Sequence, residues 1–120
     1  MKILVVDDSK AMRAIVKRAL STLDRVAGAT IIEAVDGKEA LATAQAEQPD
    51  LIISDWNMPE MTGIELLQAL NDAGICPIFG FVTSESTPEM HELARSNGAR
   101  FLVRKPFTPE ALDDALASAV

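Results

Sequence analysis

The chain has 120 residues, 48% of them hydrophobic and 24% charged, a size and composition that suit one hydrophobic core. Eleven Lys and Arg residues against eighteen Asp and Glu residues give a net charge of −7, which opposes binding to DNA or RNA. Asp7 and Asp8 end the first apolar run too early for a signal peptide or a membrane span, so a cytoplasmic domain without membrane contact is expected.

Strand patterns alternate with helical patterns along the chain. Apolar runs rich in β-branched residues predict five strands, at Lys2–Val6, Thr30–Ala34, Leu51–Ser54, Ile78–Thr83 and Arg100–Arg104. Such alternation is typical of βαβ units, so an α/β fold with a parallel sheet is predicted. Between the strands, apolar residues recur at helical spacing and are predicted to face the core. They are Met12, Ile15, Val16, Ala19, Leu20 and Leu23, then Ile64, Leu67 and Leu70, then Met90, Leu93 and Ala94.

Four helix starts carry capping signals. Two have the spacing of a capping box, in which an acid follows the cap residue by three positions. Two others place a threonine cap, a first-turn proline and an acid in that order. The four segments are Asp36–Glu39, Thr62–Glu65, Thr87–Glu89 and Thr108–Glu110.

Acidic residues follow two of the predicted strands directly. Asp7 and Asp8 end the first strand, and Asp55 ends the third. If the two strands are parallel neighbours, these carboxylates meet at the edge where open α/β sheets bind ligands. Close carboxylates repel by roughly 4 kcal/mol per pair at an effective dielectric of about 20, so the cluster needs a cation to stay ionised. Mg²⁺ is expected, because it is a hard ion that prefers carboxylate, phosphate and water oxygens.

Two further strands end in groups that suit an anion. Thr83 and Ser84 close the fourth strand, and Lys105 follows the fifth. At the edge that carries the acids, they would offer a hydroxyl, backbone N–H groups and an ammonium group. This set predicts phosphoryl transfer to a carboxylate, with Asp55 as nucleophile, the metal and Lys105 neutralising charge, and Thr83 binding the product oxygens.

Taken together, four motifs resemble the receiver domain of two-component response regulators, over the whole chain. The motifs are Val6–Ser9, Ile53–Pro59, Thr83 and Lys105–Phe107. Each is weak alone, whereas their order and spacing are specific. Within the family, Ser54–Pro59 together with Met12–Arg13 and Ile15–Val16 is most similar to the stand-alone chemotaxis regulators, the CheY-like type.

The resemblance implies a flavodoxin-like fold, which is a doubly wound, five-stranded parallel sheet with helices on both faces. The strand order 2-1-3-4-5 comes from the family, itself a standard example of this fold, and not from the residue pattern. The resemblance also implies a single receiver domain over residues 1–120, with no effector domain.

The family's chemistry assigns a role to each acid. The resemblance implies that Asp55 accepts a phosphoryl group from the phosphohistidine of a histidine kinase or phosphotransfer protein. It also implies that Asp8, Asp55 and the backbone carbonyl of Asn57 bind Mg²⁺ directly, while Asp7 acts through water.

The phosphoryl group would have its own contacts. By resemblance, Lys105 pairs with it, Thr83 donates a hydrogen bond, and the N–H groups of Asn57 and Ser84 complete its shell. Asn57 and Glu85 occupy positions that tune access of the hydrolytic water in this family.

The chain also departs from the family pattern. Leu102 stands where the family usually has an aromatic switch residue, and Phe101 is displaced by one position, onto the opposite face of the strand. The switch pair would then be Thr83 and Leu102. Thr62 replaces a common aspartate and still caps a helix. Pro106 matches a proline that follows a cis peptide bond in the family.

Three classes of function fit the motifs. A metal-dependent phosphohydrolase usually has a second acid two residues after the nucleophile, where this chain has Asn57. A phosphorylation-independent binding module would be favoured by loss of Asp55 or Lys105, and both are present. The prediction is therefore a signalling switch and not an enzyme with outside substrates. It is expected to be monomeric, to act in chemotaxis or motility, and to present its fourth helix, fifth strand and fifth helix to a downstream target that the sequence does not identify.

Overall fold

The computed structural model describes all 120 residues and contains one parallel sheet with strand order β2-β1-β3-β4-β5. Helices cover both faces of the sheet, and a short 3-10 turn spans Asp24–Val26. The strands are β1 (Lys2–Val6), β2 (Thr30–Ala34), β3 (Leu51–Ser54), β4 (Ile78–Thr83) and β5 (Phe101–Arg104). The helices are α1 (Lys10–Ser21), α2 (Gly37–Glu47), α3 (Gly63–Asp72), α4 (Pro88–Ser96) and α5 (Pro109–Ala117). The predicted α/β fold and strand order are thus confirmed.

Most local signals of the sequence are also confirmed, but of the two predicted capping boxes only the one at Thr62 forms completely. Four strands have the predicted bounds, and β5 begins one residue later than expected, at Phe101. At Thr62 both bonds of the capping box form with Glu65. The side chains of Asp36, Thr87 and Thr108 each accept a backbone N–H, as expected for caps. These side chains satisfy helix N–H groups that have no partner within the helix.

Two hydrophobic cores lie on opposite faces of the sheet. Alternate residues of β1 and β3 point to the two sides, so β3 is buried throughout and β1 is buried except at Lys2. One core packs against α2, α3 and α4, and the other against α1 and α5. The prediction that every apolar residue of the helical stripes faces the core was wrong at two positions. Ile15 is 47% exposed and Leu93 is 41% exposed, since each lies at the margin of its helix's buried stripe.

None of the helices combines the length and the apolar character that a membrane crossing requires.

Candidate functional site

Three carboxylates lie together at the carboxyl edge of the sheet. Val6 of β1 lies opposite Ser54 of β3, so the residues that follow these two strands emerge side by side. One carboxylate oxygen each from Asp7, Asp8 and Asp55 lies within 4.8 Å of the others. Asp7 and Asp55 are buried, whereas Asp8 is exposed. The predicted acidic cluster is therefore present and opens to solvent on the side of Asp8.

A single lysine partly neutralises this cluster. The ammonium nitrogen of Lys105 lies 3.0 Å from Asp7 Oδ2 and 3.6 Å from Asp55 Oδ1. The backbone N–H of Lys105 donates to the carbonyl of Thr83, which fixes the lysine beside the end of β4. The Lys105–Pro106 peptide bond is cis, as predicted. The sequence predicts that Lys105 pairs with the phosphoryl group, and that role stays a prediction; the structure shows the ammonium group of Lys105 paired with two of the acids.

The electrostatic state of Asp55 follows from burial in an acidic site. Burial raises the pKa of the Asp55 carboxyl and the nearby Asp7 carboxylate raises it further, although Lys105 and the N–H groups of Trp56 and Asn57 lower it. One ammonium group is thus too little for three carboxylates. A divalent cation fits this site, because the three acids supply hard oxygen donors and Asp8 leaves one side open.

The remaining predicted residues line the same edge. Thr83 is fully buried at the end of β4, and its hydroxyl oxygen accepts the N–H of Glu85 at 3.4 Å. Ser84 and Lys105 line one open cleft together with Pro106. Asn57 is exposed two residues after Asp55. The structure therefore brings the acids, the hydroxyl and the ammonium group to one edge of the sheet.

Leu102 and Phe101 lie on opposite faces of β5, as predicted. Leu102 packs against the core beside α4, and Phe101 against the core beneath α5. A groove between α4 and β5 is lined by Leu102, His91 and Arg95. No aromatic side chain of β5 therefore lies on the α4 face, where the family usually has one.

Trp56 follows Asp55 in the loop after β3, yet its side chain belongs to the hydrophobic core. Its side chain is only 9% exposed, and its ring centroid lies 4.7 Å from that of Phe81 in the core. The N–H of Gly63 donates to the Trp56 carbonyl at 2.7 Å, and this bond holds the loop against the start of α3. Trp56 contacts Asp55 through its backbone N–H, at 2.8 Å.

One residue of the site region was missed at the sequence level. Arg13 of α1 donates from Nη1 to the Asp7 carbonyl at 2.7 Å and from Nε to Glu33 of β2 at 2.9 Å. Its side chain is only 11% exposed. An arginine near the start of an amphipathic helix usually lies in solvent, and only the pairing of β1 with β2 brings Glu33 within reach.

Comparison of the chain with models of known protein families identifies the family to which this site belongs. The model of the response regulator receiver domain matches residues 3–117. The chain belongs to the response regulator receiver family. Members of this family are signalling proteins.

Known relatives match this receiver over almost their whole length. It is 37% identical to the chemotaxis protein CheY1 of Helicobacter pylori, over 97% of this chain and 94% of the relative. It is 38% identical to the chemotaxis protein CheY homolog of Campylobacter jejuni, over 97% and 89%. The structure of chemotaxis protein CheY4 of Vibrio cholerae superposes with a TM-score of 0.86 at 38% identity, covering 99% of this chain and 98% of that one. The CheY-like resemblance of the motifs is thus confirmed.

Proposed function

We propose that this receiver is a cytoplasmic chemotaxis switch that accepts a phosphoryl group on Asp55 from the phosphohistidine of a histidine kinase or phosphotransfer protein. The observation that carries the proposal is the position of Asp55, within 4.8 Å of the acids Asp7 and Asp8 and 3.6 Å from the ammonium group of Lys105. The chemotaxis assignment rests on relatives that are named chemotaxis proteins and match nearly end to end.

The acidic cluster is the proposed Mg²⁺ site. Asp8, Asp55 and the carbonyl of Asn57 would hold the ion, and Asp7 would contact it through water. When bound, the ion neutralises charge on the acids and on the phosphoryl oxygens. Water-mediated contact suits Asp7, since its two carboxylate oxygens already accept bonds from the Ser9 N–H and from Lys105.

The protein's part in the transfer is positioning and charge neutralisation. A carboxylate oxygen of Asp55 attacks phosphorus, and the bond from phosphorus to the donor's imidazole nitrogen breaks, which leaves histidine on the donor. A carboxylate nucleophile needs no general base, because it has no proton to lose when it attacks. Lys105, the hydroxyl of Thr83 and the N–H groups of Asn57 and Ser84 would bind the transferred oxygens.

The proposed output begins at Thr83. The phosphoryl group draws the buried hydroxyl of Thr83 away from the Glu85 N–H, and Leu102 follows into the space beside β4. This movement would change the face formed by α4, β5 and α5, which a downstream target binds. The receiver is proposed to act as a monomer.

Phosphotransfer from histidine kinases of the source organism tests the proposal. Each kinase is first autophosphorylated with labelled ATP and then mixed with the receiver and Mg²⁺. We expect at least one kinase to pass its label to the wild type and to Asp50→Asn, but not to Asp55→Asn. Asp50 is a matched control, because it directly precedes β3 as Asp55 directly follows it. Label that stays on every kinase would contradict the proposed donor.

A further inference from the structure

The carbonyl of Asp7 belongs to the peptide plane that joins Asp7 to Asp8. The backbone N–H of Asp7 donates to Ala34 at 3.2 Å, and its carboxylate is held by Ser9 and Lys105. The carbonyl itself accepts the 2.7 Å bond from Arg13. The Asp8 carboxylate accepts no hydrogen bond within the protein, so the peptide plane before it is what orients it.

Arg13 is itself held at a second point. Its Nε bonds Glu33 while Nη1 bonds Asp7, so one planar guanidinium group spans β2 and the end of β1. Glu33 also accepts a bond from Lys17, at 3.1 Å. Hydrogen bonds from Lys17 and Arg13 lower the pKa of Glu33, so this partner stays ionised at neutral pH. A lysine has no planar fork to make both of the bonds that Arg13 makes.

The position of Arg13 is electrostatically unfavourable for a positively charged side chain. It lies near the amino end of α1, where the helix dipole disfavours a cation, and no acid occupies the first turn. A cation beside a metal site also repels the metal ion. Simple electrostatics therefore predicts that removal of Arg13 tightens Mg²⁺ binding. A role in holding the ligands predicts the opposite sign.

We propose that Arg13 is a positioning residue for the Mg²⁺ site, which acts by fixing the peptide plane that aims Asp8. This inference rests on the proposed Mg²⁺ site. Glu33, which also pairs with Lys17, offsets part of the guanidinium charge, so we expect the geometric effect of Arg13 to outweigh its repulsion of the ion.

The test is a titration of folded variants with Mg²⁺ alone, in which the fluorescence of Trp56 reports binding of the ion. We expect Arg13→Ala to weaken Mg²⁺ binding about tenfold, at the lower end of the effect of residues that orient metal ligands. Arg13→Lys keeps the charge and should also weaken binding. Lys17→Ala is the matched control, because Lys17 lies one turn along the same helix, pairs with the same glutamate and does not contact Asp7. It should bind Mg²⁺ as tightly as the wild type, or slightly more tightly.

A second measurement distinguishes a positioning role of Arg13 from a general structural effect of the substitution. In Arg13→Ala, the Mg²⁺ concentration for half-maximal phosphorylation should rise, while the rate at saturating Mg²⁺ recovers. Unchanged or tighter Mg²⁺ binding by Arg13→Ala would overturn the inference, as would equal weakening by Lys17→Ala. If Arg13→Ala does not fold, Arg13→Lys decides by the same criteria. A wild type without any Mg²⁺ response would instead contradict the proposed function.

Discussion

The ring of Phe101 covers Gly80 of the neighbouring strand so closely that a Cβ atom at residue 80 would overlap it. The two residues are paired in the register of β4 with β5. Phe101 thus supplies the volume that Gly80 lacks, on the face beneath α5. The aromatic ring of β5 consequently serves packing on that face and is not free to act as a switch beside α4.

Gly80→Ala should destabilise the fold by about 1–3 kcal/mol, the usual cost of an overpacked core. Urea unfolding measures the loss. Phe101→Leu should partly rescue Gly80→Ala in the double variant, because a smaller side chain makes room for the new methyl group. Additive effects of the two changes would contradict the close packing of this pair.

Asp8→Ala should abolish the Mg²⁺ response of Trp56 fluorescence. The response is expected because the Trp56 N–H donates to Asp55, so a change at the carboxylate reaches the only tryptophan. Removal of one repelling charge should also stabilise the metal-free protein. Asp24→Ala, at an exposed acid of the 3-10 turn, is the control that should respond like the wild type. A flat wild-type titration would count against the site.

The sequence predicts what depends on neighbours along the chain. Caps and strand ends are local, so four helix starts and the position of each acid at a strand end followed from the residue pattern, whereas the pairing of β1 with β3 that brings the acids together came from the family resemblance. The exposure of Ile15 and Leu93 was not predicted from the sequence. Helical periodicity shows which residues share a stripe but not how wide a stripe the sheet covers. The burial of Trp56 depends on how its loop folds back onto α3. The contact between Arg13 and Glu33 depends on tertiary structure in the same way.

Asp55→Asn should stabilise the metal-free protein at pH 7, by about 1 kcal/mol, the scale of a typical single substitution. Burial raises the pKa of Asp55 in the folded state. The folded protein therefore binds more protons than the unfolded chain between the two pKa values, and stability falls as pH rises through that window. The advantage of Asp55→Asn should shrink below about pH 4, where Asp55 is protonated in both states.

Urea unfolding of wild type and Asp55→Asn from pH 3 to 8 measures this difference. Asp50→Asn, an exposed carboxylate, should show no such gain. Saturating Mg²⁺ should reduce the difference in unfolding free energy between the two proteins. The ion stabilises a folded protein only when all three acids of the cluster are present, and Asp55→Asn lacks one of them. A less stable Asp55→Asn at pH 7 would mean that its pairing with Lys105 outweighs the cost of burial.

A phosphoryl mimic such as beryllium trifluoride should shift amide resonances of Thr83–Asn97 and Leu102–Phe107. Leu102 makes fewer rigid contacts than an aromatic ring would, so it favours either conformation only weakly. The free-energy difference between the active and inactive populations should therefore be about 1–2 kcal/mol. Leu102→Tyr should enlarge the shifts, and Asp55→Asn should abolish them. Shifts confined to the acidic cleft, or found along α1, would show that the proposed output face is wrong.

Asp55 is predicted to be the only phosphoryl acceptor of the protein, and Mg²⁺ is predicted to be required for the transfer. The most direct measurement is the intact mass of the protein after treatment with a small acyl phosphate, with and without Mg²⁺. We predict that the wild type and Asp50→Asn gain the mass of one phosphoryl group only when Mg²⁺ is present, and that Asp55→Asn gains none. A phosphoryl adduct that persists on Asp55→Asn, or a wild type that remains unmodified with Mg²⁺, would contradict the account.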